Sequence, residues 1–199
     1  NSSPTEWLGM LDDVKKIDIQ CADLKLESHA FANMKSLGSL NLDVSSTCEL
    51  GSGALYNCNA LRDIKLPSID GLPIGALQNC KSLQELSIPA SAHFINSLAL
   101  RGCDALHKIE IEPSVEPLVV GVGTFEEIKL QELTLGREVV SGDMPFYGLK
   151  SLAKLTIAAN VTELPDYAFA DCSNLKEIYC ESSIAPKIKP NTFRGVSRE

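Results

Sequence analysis

Ala168-Phe169-Ala170-Asp171-Cys172-Ser173-Asn174-Leu175-Lys176-Glu177-Ile178-Tyr179-Cys180 decides the fold, because Ala76-Leu77-Gln78-Asn79-Cys80-Lys81-Ser82-Leu83-Gln84-Glu85-Leu86-Ser87-Ile88 spells it out a second time. Both are copies of one template, apolar-x-x-Cys-x-x-Leu-x-x-Ile-x-Ile. Taking the first large apolar residue as an anchor, copies start at Leu8, Phe31, Leu55, Leu77, Leu100, Phe125, Phe146, Phe169 and Phe193, 21 to 25 residues apart. A fixed period of this size is the signature of stacked coils.

The two halves of the template have different periods and therefore predict different backbones. Anchor, Cys and Leu fall at i, i+3 and i+6 after a small residue such as Ala30, Ala54, Ala76, Ala99 or Ala168, the spacing of a short helical or 3-10 turn facing inward. The Ile-x-Ile tail alternates, the mark of a strand with one buried face. Its inward pairs are Ile17/Ile19, Leu40/Leu42, Ile64/Leu66, Leu86/Ile88, Ile109/Ile111, Leu133/Leu135, Leu155/Ile157 and Ile178/Cys180. A unit of this length cannot bury its own apolar face, so it stacks on its neighbours through a parallel sheet. The expected architecture is α/β: residues 1–199 as a single solenoid of about eight strand-bearing coils plus a terminal half-copy, an arc roughly 35–40 Å long at the usual strand spacing.

A further apolar row lies five before most anchors: Leu26, Leu50, Leu72, Ile95, Val120, Leu164 and Ile188. Ser141 breaks it, in the shortest coil (Phe125 to Phe146), where a local distortion is expected. The longest coil carries Glu112-Pro113-Ser114-Val115-Glu116-Pro117 after its strand, an expanded loop and a second candidate contact.

Leu-Pro-x-x-Ala-Phe-x-x-Cys-x-x-Leu-x-x-Ile-x-Ile, seen almost position by position from Leu164-Pro165 to Cys180, resembles the BspA-type leucine-rich repeat. The resemblance runs from Leu8 to Val196 and is weakest in the first copy and in the Phe125 copy. It implies a right-handed leucine-rich-repeat solenoid with parallel strands on the concave side and short helical or 3-10 turns on the convex side. It also implies a cell-surface or secreted protein that binds host proteins or other cells, and it carries no catalytic residue to transfer.

Composition narrows the function. The 199 residues are 44% apolar, with a net charge of −8 and an isoelectric point near 4.9. This charge repels phosphate backbones, so nucleic acid is not an expected partner. No apolar run approaches the ~18 residues needed to cross a bilayer. No G-x-S-x-G, H-E-x-x-H, P-loop or calcium-loop pattern is present. Gly121-Val122-Gly123-Thr124-Phe125 is superficially similar to a phosphate loop, but it opens a repeat and reads as a turn. The three histidines, His29, His93 and His107, fall at different template positions. No catalytic, metal or cofactor site is expected.

Cys58, Cys80, Cys103 and Cys172 share one slot, filled elsewhere by Leu11, Met34, Ile128, Leu149 and Val196. That is a small buried apolar site, with a cross-link between neighbouring coils as the alternative. Cys180 takes an inward strand slot, and Cys21 and Cys48, after strands, are the expected exposed thiols.

If function lies on a surface, the template names it. Between the inward strand residues come Asp18, Asn41, Lys65, Ser87, Glu110, Thr134, Thr156 and Tyr179. Beside them run Lys16, Ser39, Asp63, Glu85, Lys108, Glu132, Lys154 and Glu177, alternating in sign from Glu85 onward. A third row contains Arg62, His107 and Lys176. The candidate binding residues are Arg62, Lys65, Glu85, His107, Lys108, Glu110, Glu132, Lys154, Thr156, Lys176 and Tyr179, presented by a monomer to a protein ligand. The expected function is a non-enzymatic adhesion or recognition module, the alternative being a spacer that displays another domain.

Overall fold

The computed structural model describes residues 11–141 and 144–196; Leu8 and the start of the first copy lie outside the described residues. Fourteen strands follow one another: β1 (Lys16–Cys21), β2 (Leu24–Leu26), β3 (Ser39–Val44), β4 (Cys48–Leu50), β5 (Asp63–Lys65), β6 (Gly71–Leu72) and β7 (Glu85–Ile88). Then come β8 (Phe94–Ile95), β9 (Lys108–Ile111), β10 (Leu118–Val120), β11 (Glu132–Leu135), β12 (Val139–Val140), β13 (Lys154–Ile157) and β14 (Glu177–Cys180). They alternate between two faces of a solenoid. The Ile-x-Ile tails form one face, as sheets β1-β3-β5 and β7-β9-β11-β13-β14. The row five before the anchors forms the other, as sheets β2-β4 and β6-β8-β10-β12. Every pairing is parallel and joins template-equivalent residues, for example Leu86↔Ile109 and Leu133↔Leu155.

The third side of each coil is not helical, which corrects the expected α/β architecture. No helix occurs among the described residues. The cause is a left-handed residue two before and two after most anchors. Around Phe31, Leu55, Leu77, Leu100, Phe125 and Phe169 these residues have φ between 56° and 71°, for instance Gly53 and Asn57, or Tyr167 and Asp171. Alternating handedness prevents a run of i→i−4 bonds. Amides instead alternate between closing a tight turn and reaching the next coil. Ala32 N bonds His29 O in its own turn (3.0 Å), whereas Phe31 N and Asn33 N donate to Ala54 O (2.9 Å) and Tyr56 O (2.7 Å). Stacked β-turns thus form a third ladder, and an apolar spacing of 3 in place of 3.6 is their signature.

That ladder carries side-chain ladders. Asn79 Nδ2 donates to Asn57 Oδ1 (2.9 Å) and Asn57 Nδ2 to Asn33 Oδ1 (3.0 Å), all three at left-handed positions. Gly102 ends the row: a Cβ there would collide with Asn79 Oδ1. Beneath, the Cys58, Cys80, Cys103 and Cys172 thiols donate to the carbonyls of Phe31, Leu55, Leu77 and Phe146, each the anchor one coil back, at 3.0, 3.3, 3.2 and 3.2 Å. The slot is therefore a thiol–carbonyl ladder as well as an apolar site. All seven cysteines are free.

The core is one continuous apolar column from Met34 to Leu175. Inward strand residues such as Ile88, Ile109, Ile111 and Leu155 are fully buried. Ile178 and Cys180 are not, because β14 is the outermost strand: Ile178 is 48% exposed and Cys180 is an exposed thiol. Cys48 departs from expectation in the other direction. It is buried because it lies in β4, bridged by Leu24 and Ile69 on either side, and Cys21 is half-buried.

The short coil keeps its strand register, with β11 paired to both β9 and β13. Its irregularity is Arg137, only 1% exposed, whose guanidinium reaches two coils back to donate to Pro89 O (2.7 Å), Ala90 O (3.1 Å) and Ala92 O (2.7 Å). In place of the missing apolar residue, Ser141 Oγ donates to Val120 O (3.0 Å).

Candidate binding face

The long strands carry the candidate residues in register. Glu85, Lys108, Glu132, Lys154 and Glu177 pair in sequence across β7, β9, β11, β13 and β14, and so do Ser87, Glu110, Thr134, Thr156 and Tyr179. Lys65 belongs to β5, and Arg62, His107 and Lys176 sit just before β5, β9 and β14. Backbone bonds hold these entries: His107 N donates to Gln84 O (3.0 Å) and Lys176 N to Ala153 O (3.0 Å). The His107 ring lies with Nδ1 3.1 Å from Ala105 O.

Sign alternation produces the ion pairs it predicts. Lys108 Nζ sits 3.0 Å from Glu85 and Lys154 Nζ 4.0 Å from Glu132. The carboxylate of Glu85 raises the Lys108 pKa above its usual value. Both pairs are solvent-facing and screened by water, so they contribute little to stability. Tyr179 is held from two sides: its hydroxyl donates to Glu177 (3.0 Å), and Lys154 Nζ lies 5.5 Å from the ring centroid. The Glu177 carboxylate pushes the phenol pKa up.

The sheet splits between β5 and β7, which no ladder joins among the described residues. Two consequences of register meet there. Asp63 and Glu85 are template neighbours, the one place in the row where like charges adjoin, and like charges opposite one another weaken strand pairing. Two residues past Lys65 and Ser87 come Pro67 and Pro89, neither with an amide to donate. At this seam an indentation of about 290 Å³ is lined by Asp63, Lys65, Glu85, Ser87, Lys108 and Glu110. The structure therefore gathers Lys65, Glu85, Lys108 and Glu110 from the candidate set into one depression. Glu132, Lys154, Thr156 and Tyr179 lie farther along the same sheet.

Lys and Glu alternate along the face, and among the described residues no group of three or more His, Cys, Asp or Glu could hold a metal ion. The ladder thiols are poor nucleophiles: burial raises Cys58 and Cys103 to about 12 and Cys172 to about 11. The Gly121–Phe125 run is a turn, with Thr124 Oγ1 donating to Gly121 O (2.8 Å). No described helix is long and apolar enough to cross a membrane.

Parallel strands stacked at a 23-residue period around one apolar column define a leucine-rich-repeat solenoid. The chain belongs to the BspA-type family: the family described as BspA type leucine rich repeat region (6 copies) matches residues 10–121 and 118–198. No curated protein matches. Among solved structures, the chain is similar to a leucine-rich repeat protein from Bacteroides ovatus, at 16% identity and a TM-score of 0.44 over 84% of this chain and 61% of that one. It is also similar to a leucine rich cell surface protein from Faecalibacterium prausnitzii, at 22% identity and a TM-score of 0.37 over 86% of this chain and 33% of that one. The chain thus spans less than two thirds of either.

Proposed function

We propose that this chain is a non-enzymatic protein-binding scaffold of the cell surface or extracellular space, with its long-strand face as the contact surface. The observation that carries this reading is the seam: an indentation with charged side chains around an apolar floor of Ile64 and Leu86, between two parallel ladders that hold the strand residues on either side in register. Rigid backbone lowers the ordering cost of binding. Lys65, Lys108, Glu85 and Glu110 present charges of both signs, the pattern of a surface that reads a charged protein partner and not a single small ligand. Surface placement and an adhesion role rest on what the BspA-type resemblance implies.

The test is capture of extracellular-matrix and host surface proteins by the immobilised chain, compared with the Lys65→Glu/Lys108→Glu variant. A partner retained by the wild type and lost by the variant, with unchanged thermal stability, supports the reading. A partner equally well retained moves the site elsewhere, and no partner at micromolar concentration favours a spacer.

A further inference from the structure

The short-strand face carries a second surface of opposite character. Its outward row, one residue before the buried row, reads Lys25, Glu49, Gly71, Phe94, Val119, Val140, Glu163 and Lys187 from coil to coil. Charges occupy both ends: Lys25 lies 3.7 Å from Glu49, and Glu163 and Lys187 are register partners through a backbone β-bridge. The middle is apolar and open to solvent. Phe94, Val119 and Val140 are consecutive register partners, and Val119 and Val140 are each 50% exposed. Three residues farther on, Ile74 and Val122 are 55% and 60% exposed. Solvent alone does not account for this: the same row is charged at Glu49, two coils before Phe94, and at Glu163, one coil after Val140, on the same backbone. A contiguous exposed apolar patch of this kind marks a contact surface.

Its dimensions select the occupant. Apolar residues recur one per coil, about 4.8 Å apart. A helix lying along the solenoid axis offers side chains at i, i+3, i+4 and i+7, about 4.5–6 Å apart along its axis, whereas an extended strand offers same-face residues about 6.8 Å apart. Only the helix keeps step over the four coils from Gly71 to Val140. The stripe spans about 15 Å, or about ten helical residues.

Its borders select the charge. Asp70, 2.8 Å from His93, stands at one end. At the other, Val140 shares a depression of about 410 Å³ with Glu138, Glu163 and Lys189. Glu138 accepts a hydrogen bond from the Thr162 hydroxyl and has no cationic partner among the described residues. We infer that this stripe docks an amphipathic α-helix of a partner protein, with apolar residues on one face and Lys or Arg at its ends. The surface is separate from the long-strand face.

The probe is a pair of synthetic helical peptides of about 14 residues, Leu on one face, with Arg ends in one and Glu ends in the other. Binding is read by fluorescence anisotropy. The Arg-ended peptide is expected to bind at micromolar concentration, about tenfold more weakly to Val119→Ser/Val140→Ser and less tightly to Glu138→Lys. Lys65→Glu/Lys108→Glu should leave binding intact. All these positions are outward-facing, so melting temperatures should match the wild type. Equal binding of the Glu-ended peptide, binding indifferent to Val119→Ser/Val140→Ser, or no binding of either peptide would overturn the inference. So would a concentration-dependent dimer dispersed by Val119→Ser/Val140→Ser, which assigns the stripe to a second copy of this chain.

Discussion

The turn side of the solenoid is held together in two different ways along its length. In the first half the anchors Phe31, Leu55 and Leu77 lie beneath a hydrogen-bonded asparagine row, Asn33–Asn57–Asn79, and only the first of them is aromatic. In the second half the row dissolves into Gly102, Glu127, Gly148 and Asp171, and the anchors become aromatic. Phe125, Phe146, Phe169 and Phe193 stack with centroids 5.1, 5.3 and 5.6 Å apart. The backbone ladder is shared, with left-handed residues two before and two after Leu55, Leu77, Phe125 and Phe169 alike. Backbone geometry therefore belongs to the repeat, whereas the side-chain cohesion between coils can be polar or aromatic. Arg137 ties the two regimes together from the irregular coil, reaching back to residues 89–92.

This contrast can be broken at either end. Phe146→Ala removes the centre of the aromatic stack and should cost about 3–5 kcal/mol in denaturant unfolding; a loss below about 1 kcal/mol would show that the stack is not what holds these coils. Arg137→Met leaves the buried Ala92 carbonyl without its guanidinium donor and Pro89 O with only the Ala92 amide, and should cost about 1–3 kcal/mol, with unfolding that splits into two transitions if the halves uncouple.

The thiol ladder runs through both halves and sharpens the comparison by pH. Burial lifts Cys58 and Cys103 from 9.0 to about 12, so above pH 9.0 the unfolded chain releases protons that the native state keeps. Stability is fully present below pH 9.0, falls as pH rises, and levels out above about 12. The slope is about 1.4 kcal/mol per pH unit for each such thiol. Cys58→Ala/Cys103→Ala should flatten the alkaline slope measured by urea unfolding, and an unchanged slope would mean the thiols titrate normally.

Asn57→Ala breaks both links of the polar row and should cost about 1 kcal/mol; a double-mutant cycle with Asn33→Ala isolates that share. Glu85→Gln, which removes only the solvent-facing pair with Lys108, should leave the urea midpoint unchanged within error; a clear drop would show that the pair holds the face.

The repeat period, the inward strand residues, their parallel stacking and the shared Cys slot were legible in the chain itself, because each follows from periodicity and from what a single residue type tolerates. So was the membership of Lys65, Glu85, Lys108, Glu110, Glu132 and Lys154 in one face. The stacked β-turns left a mark too, in Asn33, Asn57, Asn79, Gly102, Gly148, Asp171 and Gly195 two residues past their anchors, all types that accept a left-handed backbone. Helical spacing hid it.

What stacking alone decided is everything that depends on which residues meet about 23 positions apart. Asp63 against Glu85 and Pro67 against Pro89 open the seam only once register makes them neighbours. Arg137 becomes a tie only because two coils place three carbonyls within its reach. Ile178 and Cys180 obey the same template as Leu86 and Ile88 yet face solvent, because burial in a solenoid is supplied by the next coil and not by the residue.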